Sequence, residues 1–171
     1  MLRLTDAAME VLREVGFHDL TLQLVGERAG MTRATAYTYF ASKDHLVAEV
    51  FRRRMVATTV SVPDSSDVVE RVLATLRHIA LIVADEPELA DAITGVFNSS
   101  DPEIEAIRIQ LYEYVHTVTV AAVGDDGDEE TVSMLEMAYL GAMMRAVFVP
   151  GFKMTVTRDV EKLARRILAA D

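Results

Sequence analysis

Apolar and polar positions follow a helical period along most of this chain, and the breaks between periodic stretches are marked by caps and turn residues. Pro63-Asp64-Ser65-Ser66-Asp67 forms a hinge and N-cap cluster. After it, Val68, Val69, Val72, Leu73, Leu76, Ile79, Ala80 and Val83 keep helical spacing. Glu86-Pro87 starts a further helix reaching about Phe97. Ser100-Asp101-Pro102-Glu103 has a cap followed by Pro at the first helical position and opens a helix to about Val123. Gly124–Asp128 reads as an acidic loop, and Glu129–Val149 as a helix stopped by Pro150-Gly151. Thr155 or Thr157 begins a last helix that ends near Ala169. The pattern predicts an all-α protein.

The most informative stretch is Thr21–Lys43, TLQLVGERAGMTRATAYTYFASK. Thr21 is placed to cap a helix in which Leu22, Val25 and Ala29 share one face. Gly30 is expected in a left-handed C-cap and Met31 as a buried plug in the turn. Thr32 caps a second helix carrying Arg33, Thr35, Ala36, Tyr37, Tyr39 and Phe40. About three residues separate the two helices, the interval of a helix-turn-helix. Small residues at Ala29, Gly30, Ala34 and Ala36 allow a close crossing. An ordinary helical hairpin has the same periodicity. Two features separate the readings: an outer face bearing Arg33, Thr35, Tyr37 and Thr38, and Lys43 immediately beyond, placed to reach phosphate. The second helix would enter the major groove.

Charge changes the picture. The 171-residue chain has a formal net charge of -10 and a pI of about 4.8, which argues against nucleic acid as a partner. The acidity is unevenly spread. Residues 1–54 hold eight Lys/Arg against seven Asp/Glu, and the remainder nine against twenty. The proposed reading segment is thus slightly basic. Arg52, Arg53 and Arg54 end the fourth helix, where cations suit the dipole, and read as a solvated terminus, the alternative being a direct DNA contact.

The segment Leu4–Val50 resembles the DNA-binding domain of the TetR/AcrR family of transcriptional regulators. Ala7, Ala8, Gly16 and Phe17 match an Ala-rich first helix ending in Gly-Phe. Thr21, Val25, Ala29, Gly30, Met31, Thr32, Ala34, Thr35, Tyr37, Tyr39, Phe40, Ser42, Lys43, Asp44 and Leu46 match the rest at fixed spacing. Gly26 stands where Ala is usual, and Ala36 where a larger aliphatic residue is usual. Gly26 costs roughly 0.5–1 kcal/mol in a helix interior. Of the basic N-terminal arm that many relatives carry, only Arg3 is present. The resemblance implies about nine helices: a DNA-binding domain at 1–50 fused to a ligand-binding and dimerisation domain at 51–171. It implies that Thr21, Thr32, Tyr37 and Lys43 grip phosphates, that Arg33, Thr35 and Thr38 face base edges, and that Tyr39 can do either. Arg33 is the best guanine reader, since Arg chelates O6 and N7. The partners implied are a double-stranded DNA operator, a second copy of the chain and a small, apolar effector. No cofactor is called for.

The helix Glu129–Val149 is apolar almost all round and must be covered on several sides. Ala138, Gly141, Ala142 and Ala146 line it with small residues. With the last helix it is read as the dimer interface; the plain alternative is the monomer core. By resemblance, an effector pocket would draw on Leu76, Ile79, Phe97, Leu111, Tyr112, Val115, Met137 and Met144. His78 and His116, with Asp85 or Glu113, are candidate metal or pH-sensing groups, but no His pair has i, i+4 spacing and no metal site is expected. Glu136 and Arg145 read as polar anchors for interface or ligand. An enzyme is not supported: there is no Cys, four His are scattered and no Gly-Xaa-Ser-Xaa-Gly elbow occurs. The longest apolar run is interrupted by Arg145 and too short for a bilayer, and no signal-peptide layout is seen, so a cytoplasmic protein is expected. The expectation is a repressor released by its ligand. The alternatives are a relative that binds DNA without a ligand, or one that acts through protein interaction.

Overall fold

A computed structural model describes residues 1–58, 60–82, 86–148 and 156–169, the side chains of 146–148 and 156–157 excepted. Among them nine α-helices occur and no strand: α1 Leu2–Asp19, α2 Leu22–Arg28, α3 Arg33–Tyr39, α4 Lys43–Ala57, α5 Val68–Leu81, α6 Pro87–Val96, α7 Pro102–Val123, α8 Glu129–Phe148 and α9 Val156–Ile167. The fold class is as expected. Val83, Asp85, Val149, Pro150, Gly151 and Thr155 lie outside the described residues, as do the side chains of Ala146 and Thr157.

Six helices, α2, α3, α4, α5, α7 and α8, start where a side chain satisfies one of the first backbone donors. Thr21, Thr32 and Ser42 accept from Leu24, Thr35 and His45 N–H. Asp67 accepts from Val69 N–H, Asp101 from Glu103 N–H and Asp128 from Thr131 N–H. That last bond, with the Thr131 hydroxyl, holds the Asp128 carboxyl below its ordinary value. The expected acidic loop is tighter than a loop: Gly124–Asp126 forms a single 3-10 turn.

The chain forms two compact units. The first comprises Met1–Thr58 and Ile82–Leu111, the second Thr59–Leu81 and Tyr112–Asp171. This differs from a division at residue 50. The reason is α6, which packs on both α1 and α4. In the first unit α1 buries Leu4, Ala7, Ala8, Val11 and Leu12, the i, i+3, i+4, i+7, i+8 face of a core helix. They meet Leu22 and Val25 of α2, Phe40, Leu46 and Val47 from α3–α4, and Leu89, Ala92 and Val96 of α6 in one core. Each fully buried Leu or Phe there contributes about 1.5–3 kcal/mol.

In the second unit α9 packs on α8 and α5. Val72, Leu73, Leu76 and Ile79 of α5, Val132 and Leu135 of α8, and Val160 and Ala164 of α9 are buried. Arg71 closes the C-terminus of α7. Its guanidinium donates to the carbonyls of Ala122 (2.9 Å), Val123 (3.1 Å) and Ser65 (2.8 Å) and pairs with Asp126 at 2.5 Å.

Candidate DNA-reading site

The site is built on α2, a four-residue connection and α3. Gly30 turns the chain with φ +66°, a left-handed conformation that only Gly adopts at no steric cost. Met31 is half-buried rather than the expected buried plug, and its N–H donates to Gly26 O at 2.8 Å. Of the small residues expected at the close crossing, Ala29 and Ala36 are buried and Ala36 lies at the contact. Ala34 and Gly30 are exposed. Gly26 instead meets Ala36: a Cβ on Gly26 would lie 3.5 Å from Ala36 Cβ and 3.3 Å from Met31 O. The two departures from the family pattern are therefore one feature, a pair of small residues where the helices touch.

The face of α3 away from this contact is polar and open. Arg33 and Thr38 are exposed, as are Tyr37 and Tyr39 at 47% and 46%, while Phe40 is buried in the core. The Arg33 guanidinium lies over the Tyr37 ring at 5.4 Å. Thr35 is half-buried, and its hydroxyl shares a 2.9 Å hydrogen bond with that of Thr32. The Thr38 hydroxyl donates to Ala34 O at 3.0 Å, leaving its lone pairs outward. Thr21, exposed at the start of α2, uses one lone pair as cap. All eight sequence-derived DNA residues thus belong to the first unit.

The cations of this unit separate sharply by task. Arg3 Nη2 donates to Ala29 O at 2.7 Å, so it braces the end of α2 rather than standing as a free arm. Arg28 binds Glu14 and Glu10 of α1, which holds the Glu14 carboxyl below its ordinary value and raises Arg28 further. Lys43 Nζ donates to the carbonyls of Phe17 (2.9 Å) and His18 (3.0 Å) and sits 4.6 Å from the Phe17 ring centre. An ammonium has three donors, so one remains for phosphate. The run Arg52–Arg54 is not the expected solvated terminus. Arg52 and Arg53 both bind the buried Glu49 at 2.7 Å, and Arg54 donates to Ile82 O at 2.5 Å and to Glu86 at 3.3 Å. Burial alone would raise the Glu49 carboxyl, but the Arg52 and Arg53 hydrogen bonds outweigh it and hold it below its ordinary value. Arg13 also binds Glu86. Among the described residues 1–54, Arg33 is the one cation with neither a carboxylate nor a carbonyl partner.

An uncharacterized HTH-type transcriptional regulator of Mycobacterium tuberculosis is 44% identical over 146 residues, 82% of this chain and 67% of the relative. The profile of the bacterial regulatory proteins, tetR family, matches residues 4–50. The chain belongs to the TetR family. It is a transcriptional regulator, and members of this family are DNA-binding regulators rather than enzymes. The HTH-type transcriptional repressor KstR of Rhodococcus jostii is 26% identical over 80% of this chain and 64% of the relative. The fold recurs across the whole chain. A TetR transcriptional regulator from Rhodococcus sp. RHA1 superimposes with a TM-score of 0.78 at 19% identity, over 98% of this chain and 97% of the other. BioQ, solved with its natural double-stranded DNA operator, gives 0.60 at 19% identity over 95% and 96%.

The residues expected to line an effector pocket are divided between the two units. Leu76, Ile79 and Leu111 are closed into cores. Val115 is half-buried, and Phe97 packs edge-on to Phe51 at 5.6 Å. Tyr112, Met137 and Met144 lie on the surface. Phe97 and Leu111 belong to the first unit, the others to the second. A cleft of about 380 Å³ is lined by Val11, Glu14, Val15, Leu24, Glu27 and Arg28, and one of about 200 Å³ by His116, Val120, Gly124, Gly127, Asp128, Glu129 and Val132; neither touches those eight. His116 does not pair with Glu113. Its Nδ1 lies 2.9 Å from Glu136 of α8, and its ring stacks on Tyr112. Among the described residues no group of three His, Cys, Asp or Glu gathers as a metal site, and no helix is long and apolar enough to cross a membrane.

Proposed function

We propose that the protein is a homodimeric repressor that reads a two-fold operator through α3. The carrying observation is Arg33, whose guanidinium alone among the head cations has no acidic or carbonyl partner and stands on an exposed polar face. Arg33 reads guanine, with Thr35 and Thr38 beside it on base edges. Thr21, Thr32, Tyr37 and the third donor of Lys43 contact phosphates and fix register, and Tyr39 serves either surface. Specific binding to a sequence selected from random duplexes, lost in Arg33→Ala, tests the reading; a folded Arg33→Ala that still selects the same sequence overturns it.

The dimer is supported by one face of α8. Met137 and Leu140 are 63% and 61% exposed, Met134 and Met144 lie on the same face, and Gly141 has open space where its side chain would be. Leu163 of α9 is exposed as well. A second copy covers this face and supplies the second reading head that a two-fold site requires. The name of the similar repressor in Rhodococcus jostii favours repression over activation. Such a regulator works in the cytoplasm, with the chromosome.

The effector is a small, largely apolar molecule that binds one dimer state better than the other, since only differential affinity shifts the equilibrium. Within the second unit Leu76, Ile79 and Val115 offer apolar contacts. The buried Thr75 hydroxyl next to Leu76 has no hydrogen-bond partner, and the Tyr139 phenol has its pKa raised by burial. Both are handles for a polar end of the ligand. Titration of apolar compounds against the operator complex separates this reading from ligand-independent binding.

A further inference from the structure

Glu86 stands at the N-cap of α6, outside residues 4–50, yet its carboxylate makes no cap hydrogen bond with that helix. It turns instead onto two other helices of the first unit. The side chain is 7% exposed. Arg13 of α1 forks onto both of its oxygens, Nε reaching Oε2 at 2.8 Å and Nη2 reaching Oε1. Arg54 of α4 also donates to Oε1, at 3.3 Å, with its Nε on Ile82 O at 2.5 Å. At its other end α6 is fixed to α4 by the Phe97–Phe51 ring contact. Between these points Leu89, Ala92 and Val96 enter the core of the reading unit.

A carboxylate held this way does geometric work. Its two oxygens fix where Arg13 and Arg54 stand relative to each other, and so where α1 stands relative to α4. Those two helices also hold the reading pair: Lys43 at the start of α4 grips the end of α1, and Arg28 and Arg3 bolt α2 to α1. We propose that Glu86 is a positioning residue for operator reading. The DNA-binding head is a discontinuous unit, and α6 closes it through the Arg13–Glu86–Arg54 bridge. The proposal rests on the DNA-reading role given above.

The test uses the full-length protein, an operator selected by the unaltered chain and a scrambled duplex of equal length. Glu86→Gln keeps the shape and removes the charge. Measured below its melting temperature, it is expected to lose about tenfold in operator affinity, within the range for residues that touch no ligand. Affinity for the scrambled duplex and the salt slope stay unchanged, because no phosphate contact is removed. Glu86→Asp recovers part of the loss. Unchanged operator affinity in folded Glu86→Gln overturns the proposal, as does an equal loss on both duplexes. If Glu86→Gln does not fold, Arg13→Met is the variant to read. Its side chain is half-exposed, and Glu86 keeps Arg54. A several-fold loss confined to the operator supports the proposal, and no loss overturns it. Failure of the unaltered chain to select any sequence is a different result, and it sinks the DNA-reading role itself.

Discussion

The Arg33 guanidinium lies 5.4 Å from the centre of the Tyr37 ring, one helical turn along α3, with both side chains open to solvent. The ring steadies a cation that nothing else in the head neutralises. Arg33→Ala is expected to cost about 1–3 kcal/mol of operator affinity and to relax preference at one base pair. Tyr37→Phe keeps the ring and should cost less than Tyr37→Ala. Competition gel shifts with single base substitutions measure both; equal losses for Phe and Ala would assign Tyr37 to phosphate alone.

Salt dependence follows from the same separation of charges. With Arg33, the remaining donors of Arg3 and one donor of Lys43 available per head, a dimer displaces few counterions. The slope of log K against log salt is expected near -5 or shallower, at about 0.9 per neutralised phosphate. A slope steeper than about -6 would mean that Arg28 or the α4 arginines leave their partners on binding.

Glu49 joins stability to acid. Its folded carboxyl lies below the ordinary 4.5 because Arg52 and Arg53 hold the charged form. A depressed value stabilises the fold fully above about 4.5, and the contribution is lost as pH falls through the folded value. Glu49→Gln is expected to cost about 2–3 kcal/mol at pH 7, under the full buried-pair figure because both guanidiniums are part-exposed. The difference between the two proteins should shrink below pH 4.5. Urea unfolding at neutral and acid pH measures it, and a pH-independent difference would rule the ion pairs out as its source.

Gly30 in the turn and Gly26 inside α2 should respond differently to alanine. Gly30→Ala meets φ +66° and the Arg3 guanidinium 3.2 Å away, and is expected to destabilise by about 1–2 kcal/mol. Gly26→Ala gains up to about 1 kcal/mol of helix preference. It offsets that gain by crowding Met31 O at 3.3 Å, so its melting temperature should hardly move. A Gly26→Ala protein stabilised by the full helix preference would refute the assignment of Gly26 to the helix contact.

Leu140→Glu places a charge on the exposed face of α8 without entering the core. A monomer by light scattering with unchanged helix content is expected, along with loss of tight operator binding. A dimer that persists would move the interface elsewhere.

Local chemistry made much of this legible beforehand. Thr21 and Thr32 each had to satisfy a helix start, and Gly30 had to supply a positive φ; those demands act over three or four residues and show in the sequence. Long-range pairing did not show. Nothing near Glu86 announces Arg13, 73 residues away, and a Glu before Pro looks like an ordinary helix start. Arg52–Arg54 looked solvated because a charge run carries no sign of the buried Glu49 beneath it. The surroundings of the expected pocket residues were illegible for a related reason. Helical period marks a face as apolar without saying whether it meets a core, a ligand or a second chain, and Met137 and Leu76 came out on different sides of that choice.

The near-complete internal pairing of the head cations also bears on how the protein finds its target. A reader with little sequence-independent grip does not slide far along random duplex before it lets go. Its search is therefore dominated by repeated encounters from solution, and the time to occupy an operator scales with copy number more than with the length of flanking DNA.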